Sequence, residues 1–427
     1  MVELSPIRAW HPALTGPPAD SLVCPVYDTL SEADFAQYAS QPHNAARFVP
    51  RPSGMPLATF LERATHELRS AQDARAFVQD DLPSLYVYGI RYVPPDDIVE
   101  ALAPENRRSD YLLLGLVGAL DLAGLEHGQV ALHERTFPDR VAERVALTEA
   151  TGMSFAPILA GYHASGHPLN DRIEAILGLR RSALEFRSTV PPIAEATVAG
   201  TRHLLWRIDE AEPLASLAHE ARALRLLILD GHHRFTAAAQ RQHDGHRSAP
   251  LVMLVDGSDR ALQLLPWHRV LVPKVATPAV LLDRARREFE TVSPATDVLD
   301  PASAGEHLRR MHRDGVRGFL LASELGIHEV RGTPSEDAGA DFDQLHEFLD
   351  DTLGIDPRSL AFVRSPRAAL DAVASSDGGT AFLLPALSAR GVEARAFERG
   401  EVMAQKSTMF LPKVAEGMLF ARADGTP

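Results

Sequence analysis

The apolar and polar positions change rhythm most sharply between Leu226 and Ala239. Four consecutive apolar residues, Leu226 to Leu229, run into Asp230-Gly231-His232-His233-Arg234, then Phe235-Thr236 and three alanines. A short unbroken apolar run bounded by glycine predicts a buried strand. The alanine run, with Gln240 and Arg241 behind it, predicts a helix. Asp230–Arg234 is then a strand-to-helix turn, where backbone N–H groups lack partners and the helix dipole is positive. Elsewhere, apolar residues at helical spacing predict a long helix over 57–79, and an alternating aromatic stretch predicts a strand over 85–93. Ser31 reads as a helix N-cap and residues 44–49 as a strand. Further strands are expected over 111–119, 130–132, 156–162, 201–207, 249–255 and 262–266. Helices are expected over 140–151, 170–177, 214–224 and 277–289. Residues 293–303 read as a boundary loop, followed by strands near 318–322, 327–331, 361–363, 380–384 and 409–414 and helices near 305–314, 342–353, 366–375 and 386–395. Strands mixed with helices throughout predict a mixed α/β, or α+β, chain. The expected division is an N-terminal α/β region over 1–125, a core over 126–290 and a smaller C-terminal α/β domain over 291–427.

Composition narrows the function classes. The 427 residues are 45% apolar and 23% charged, which is ordinary for a globular protein. The net charge is −14, and the basic residues form no block, so nucleic-acid binding is not expected. Cys24 is the only cysteine, which rules out an intrachain disulfide and a thiolate zinc cluster. No 18-residue apolar span and no signal-peptide pattern is visible, so a cytoplasmic protein without a membrane partner is expected.

Four clusters could carry chemistry. Asp230-Gly231-His232-His233-Arg234 is an anion-friendly helix start bearing two imidazoles and a guanidinium. His133-Glu134-Arg135 places a carboxylate between a histidine and an arginine, which suits a general base or metal-shell ligand, or else a salt-bridged surface loop. Gln405-Lys406-Ser407-Thr408 with Lys413 holds two of only three lysines, suited to phosphate or to a strand edge facing water. His163 and His167 stand four apart, but Ser165-Gly166 between them argues against a helical metal site. Walker, Rossmann and nucleophile-elbow signatures are absent.

Taken in order, HERTFPDRVAERVALTEATGMSFAPI, LDGHHRFTAA, LLPWHRVL and QKSTMFLPKVAEGMLF resemble the bacterial and archaeal family called domain of unknown function ten-fifteen. CPVYDTLS and QPHNAARFV resemble that family's N-terminal segments, with Cys24-Pro25-Val26 standing where a proline pair is usual. The DGHHR turn also resembles the nucleotide-phosphate turn of the ParB/sulfiredoxin superfamily, including its free-serine kinases. That resemblance implies a ParB/sulfiredoxin-like nucleotide-binding core, with ATP or ADP and Mg2+ as cofactors. Glu134 would be the base, and Asp230 would hold magnesium or orient a histidine. Gly231, His232, His233 and Arg234 would hold phosphates. His133, Arg135, Lys406 and His268 would neutralise charge or bind a substrate carboxylate. Sulfinate repair is disfavoured because His232 stands where sulfiredoxin has its cysteine. The implied activity is a kinase acting on the hydroxyl of a small metabolite, such as free serine or a related amino acid, and a homodimer is compatible with it. A nucleotide-binding switch or scaffold without a small acceptor is the alternative, and a phosphate-releasing hydrolase a third.

Overall fold

The computed structural model describes every residue except 103–109, 126–127, 164–166, 182–185, 272–274, 336, 338, 357–358, 377 and 427. Ser165-Gly166 thus lie outside the described residues. The chain is mixed α/β. Its larger sheet has nine strands: β1 (Leu4–Ser5), β2 (Leu85–Tyr92), β3 (Tyr111–Leu120), β4 (Val130–Leu132), β5 (Ile158–Tyr162), β6 (Ala194–Val198), β7 (Thr201–Ile208), β8 (Leu226–Asp230) and β9 (Leu251–Asp256). Their order is β6-β7-β2-β3-β9-β5-β8-β4, with β1 added on β3. One half, from β6 to β9, is wholly antiparallel. The other half contains two parallel pairs, β9 with β5 and β8 with β4. Alternation along β8 sends Leu226 and Ile228 to one core and Leu227 and Leu229 to the other. The sheet is therefore buried on both faces, which explains the unbroken apolar run at 226–229.

Two helices matter for the site. We call them α1 (Pro138–Thr151) and α2 (His232–His243), and they pack on each other. The second sheet has six antiparallel strands in the order Thr291–Pro294, Gly326–Arg331, Gly318–Ser323, Thr380–Leu383, His268–Leu271, Leu360–Val363. His268–Leu271 thus joins the second sheet although it precedes residue 291. A separate two-stranded ribbon pairs Gln263–Pro266 with Thr408–Leu411. It lies in sequence between the two sheets and leads the chain back to the first.

Several expectations need correction. Residues 44–49 are not a strand: Asn44 Oδ1 accepts from Ala46 N (2.9 Å), while its Nδ2 donates to Ser21 O (2.9 Å) and Val23 O (3.0 Å). This side chain competes with ladder bonding and fixes a 3-10 turn over Ala45–Arg47. The long helix ends at Asp73, and Phe77–Gln79 returns as a strand against Trp10–Pro12. The expected boundary loop, 293–303, starts within a strand, Thr291–Pro294, whose proline is tolerated because it is a sheet edge, and ends within a helix, Pro301–Arg313. Ser31 does cap its helix, in a full capping box with Asp34.

Candidate active site

The parallel register of β8 and β4 brings two of the sequence clusters together. Leu226 stands opposite Val130, Leu227 opposite Ala131 and Ile228 opposite Leu132. The residues that follow the paired positions, 133–135 and 229–231, therefore emerge at one edge. Against β5 the register shifts between Ile228 and Asp230, so Leu229 is an extra residue and Asp230 is re-aimed. Gly231 then turns the chain at φ 90°, ψ 28°, a conformation that L side chains rarely adopt. A Cβ there would also lie 2.9 Å from Arg234 Nη2. No side chain caps the start of α2.

A third segment closes the edge. Met403 N donates to His133 O (2.8 Å) and Arg135 N to Met403 O (3.0 Å), forming a short parallel bridge. Beyond it the Glu134 carboxylate accepts from Lys406 N (3.1 Å) at Oε2, and from Thr408 N and Thr408 Oγ1 (each 2.6 Å) at Oε1. Lys406 is held at φ 57° in this turn. Further on, the Lys413 ammonium pairs with Asp230 Oδ1. The other Asp230 oxygen faces Arg234 Nη2 (3.3 Å), and Arg234 Nη1 donates to Ala156 O (2.8 Å) and Pro157 O (3.0 Å).

Sequence reasoning missed the group that props this turn. Arg269 is fully buried and donates to Trp267 O (2.6 Å), Lys406 O (2.8 Å) and Gln405 O (3.3 Å), with His346 Nε2 at 3.0 Å. Its ring neighbours Phe342 and Phe362 enclose the guanidinium. Burial lowers its pKa to about 9, with Glu134 opposing the shift, so it remains a cation at neutral pH. The only sequence signal was its place in LLPWHRVL beside His268. His268 itself turns away: its Nδ1 accepts from Leu384 N (3.1 Å), inside the second sheet. It lines no part of the site, and this corrects its expected role.

The histidines also differ from expectation. Burial, with repulsion from His232, lowers His133 to about 3. Burial lowers His232 to about 3 against the opposing pull of Asp230. Both rings are therefore neutral at pH 7 and hydrogen-bond to neighbours instead of supplying charge. His133 Nε2 is 2.7 Å from Thr408 Oγ1, and His133 Nδ1 is 3.3 Å from His232 Nε2. The Glu134 carboxylate only accepts, so the Thr408 hydroxyl donates to it. The hydroxyl then accepts from His133 Nε2–H, leaving Nδ1 to accept from His232. His233 is placed by Phe137, whose N–H donates to its Nε2 (3.0 Å) and whose ring stacks on it.

Around these groups lies a cavity of about 560 Å3 of empty space, counting its open mouth. Glu134, Arg135, Asp230 to Arg234, Lys406 and Lys413 all line it. An outer vestibule of about 1740 Å3 shares Tyr27, Phe137, His233 and Lys406 with it. His133 sits behind the wall. The Ser407 hydroxyl is buried on Ala404 O (2.8 Å), so Lys406 is the cation that the Gln405–Thr408 segment presents. With one oxygen on Lys413 and the other on Arg234, Asp230 does not fit a magnesium ligand as it stands, which corrects that assignment. His163 and His167 pair with Glu393 (3.2 Å) and Glu220 (4.0 Å), and no group of three metal-binding side chains gathers among the described residues.

Residues 4–336 match the model of a family described as protein of unknown function (DUF1015). The chain belongs to this family. No curated protein matches it. Among solved structures, it is similar to a free serine kinase in complex with AMP, at 14% identity and TM-score 0.40, over 68% of this chain and 89% of that one. It is also similar to SbnI with C-terminal truncation from Staphylococcus aureus, at 12% identity and TM-score 0.38, over 69% and 82%. A conserved hypothetical protein from Pyrococcus furiosus gives 15% identity and TM-score 0.36, over 68% and 92%. Likeness at this level leaves the family member's chemistry to be argued from its own residues.

Proposed function

We propose that this cavity is the phosphate site of a nucleotide-dependent kinase acting on the hydroxyl of a small metabolite, with free serine or a related amino acid as the acceptor class. The observation that carries the reading is one wall: the uncapped start of α2, the cations Arg135, Lys406 and Lys413, and the Glu134 carboxylate line the same cavity. Phosphoryl transfer needs in-line positioning, charge neutralisation and a base for the attacking hydroxyl. The N–H groups that open α2 and the lysines would hold the phosphates of ATP or ADP. Arg135 would add charge or take an acceptor carboxylate. Glu134 would take the hydroxyl proton; its Oε2 accepts from Lys406 N, and its position is fixed by Thr408. Neutral His133 and His232 would keep Thr408 and the carboxylate in place. Asp230 would orient Lys413 and Arg234. Magnesium would arrive on the nucleotide phosphates and supply charge neutralisation there. A ParB/sulfiredoxin-like ancestry for the core goes with this reading.

The test is nucleotide binding and turnover with candidate amino-acid acceptors. Glu134→Gln should keep ADP binding and lose at least ~100-fold in turnover, the usual size of an acid–base contribution. Unchanged turnover would remove Glu134 from the role of base. Nucleotide binding by the wild-type chain with no acceptor phosphorylated would favour the switch or scaffold reading instead.

A further inference from the structure

A second cavity, of about 550 Å3 of empty space counting its open mouth, lies against α2 and is lined by residues other than Glu134. Along α2, residues 234, 237, 238 and 241 fall on one face. Arg234 and Arg241 border this cavity, and Ala237 and Ala238 between them leave it open. Arg144 of α1 faces it across the gap, and the buried Glu416 carboxylate also lines it, so three guanidinium groups meet one carboxylate there. The guanidinium groups are not equally engaged. Arg144 donates to Glu143 Oε1 (2.5 Å) and Val49 O (3.2 Å). Arg234 is tied through both Nη atoms, but its Nε is buried without a hydrogen-bond partner. Arg241 has Nε and Nη1 both buried without a hydrogen-bond partner among the described residues. Guanidinium N–H groups withdrawn from water and left unbonded are costly, and an oxyanion, which offers several acceptor oxygens, is the group that fits them.

We infer that this cavity is a second anion site, which takes a small oxyanion, either free phosphate or the carboxylate of a small acid, on the unbonded N–H groups of Arg241 and the Nε of Arg234. It goes beyond the kinase reading, because it is separate from the phosphate-binding end of α2. Arg234 belongs to both cavities, so an oxyanion behind α2 bears on the same guanidinium that faces Asp230. Coupling between two such sites is reciprocal: a ligand in either changes the affinity of the other by the same factor.

The experiment is calorimetric titration of the full chain with inorganic phosphate and, separately, with succinate, each with and without saturating ADP. Binding of one probe should persist under ADP and weaken at least about 10-fold in Arg241→Gln, the scale of losing one charge-assisted hydrogen bond. Whichever probe binds identifies the source of the oxyanion. Ala238→Leu, which fills the cavity and leaves Arg241 in place, should give the same loss. Complete competition by ADP, no binding of either probe to the wild-type chain, or unchanged binding in either folded variant overturns the inference. If ADP does not bind at all, the kinase reading fails, while the comparison of wild type with Arg241→Gln in phosphate alone still decides this one.

Discussion

Asp80 and Asp230 sit at opposite halves of the larger sheet and are almost equally buried, at 7% and 8% exposure. Each is surrounded by cations and donors, and Asp230 also borders the cavity that Glu134 lines. Asp80 accepts from Tyr86 Oη (2.6 Å) and Arg207 Nη1 (2.7 Å), with His11 Nε2 at 3.4 Å. Burial alone would raise its pKa, but the side chains of His11, Tyr86 and Arg207 hold it down to about 2. Asp230 is held by Lys413 and Arg234, and all three line the space that Glu134 also faces. The antiparallel half of the sheet closes over its aspartate. The half with parallel pairs releases its strand ends at a common edge, and there the start of α2, which has no side-chain cap, lines the cavity. A buried charge cluster is thus not a site by itself; an open strand edge beside a helix start makes the difference.

Asp230→Asn should separate the two most strongly. It removes the charge that organises Lys413 and Arg234, and turnover should fall on the order of 100-fold, the scale of disturbing preorganised charge around a reacting group. Arg234 keeps its bonds to Ala156 O and Pro157 O, so stability should change by less than about 1 kcal/mol. Steady-state kinetics beside thermal melts would show this. A large melting loss with normal turnover would make Asp230 a second Asp80. Asp80→Asn should do the reverse. Arg207 is about a third exposed, so water softens its loss, and the expected cost is about 2 kcal/mol of stability. Kinetic parameters should stay within about twofold, as for a distant and independent position.

The turn at 230–234 and Glu134 were legible because their signals are local: an apolar run, a glycine, and polar residues placed where a strand ends. Their partners were not. Lys413 meets Asp230 across 183 residues, and Thr408 meets Glu134 across 274. Pairing at such separation is set by the packing of the ribbon 263–266 with 408–411, which no periodicity reports. His268 and Arg269 show the limit most clearly. On one strand adjacent residues point to opposite faces, so a choice between neighbours depends on which face meets the site. The sequence singled out the histidine; the fold turns the arginine toward Lys406. The segment at 44–49 misled for a different reason, since Phe48 and Val49 are buried against a helix and not along a ladder.

His232 gives the sharpest view of charge at the site. Its ring ordinarily titrates near 6.5 and is held near 3 by burial in the folded chain. Between those values the unfolded chain binds one more proton there than the folded chain. Stability attributable to the neutral ring is therefore complete above 6.5 and is lost as pH falls toward 3. Asp80 works in a lower window: its folded value of about 2 lies below the usual 3.8, so its contribution holds above 3.8 and fades only below it. Urea melts of His232→Asn at pH 7, 5.5 and 4.5 should show a pH slope shallower than wild type by up to about 1.4 kcal/mol per pH unit, one proton's worth. His133 has a similar window, so some slope should remain in the variant. An unchanged slope would mean that His232 takes its proton in the folded chain near its ordinary pH. Phosphate would then meet an imidazolium at the start of α2, and charge at the site would come from the turn itself as well as from Arg135 and the lysines.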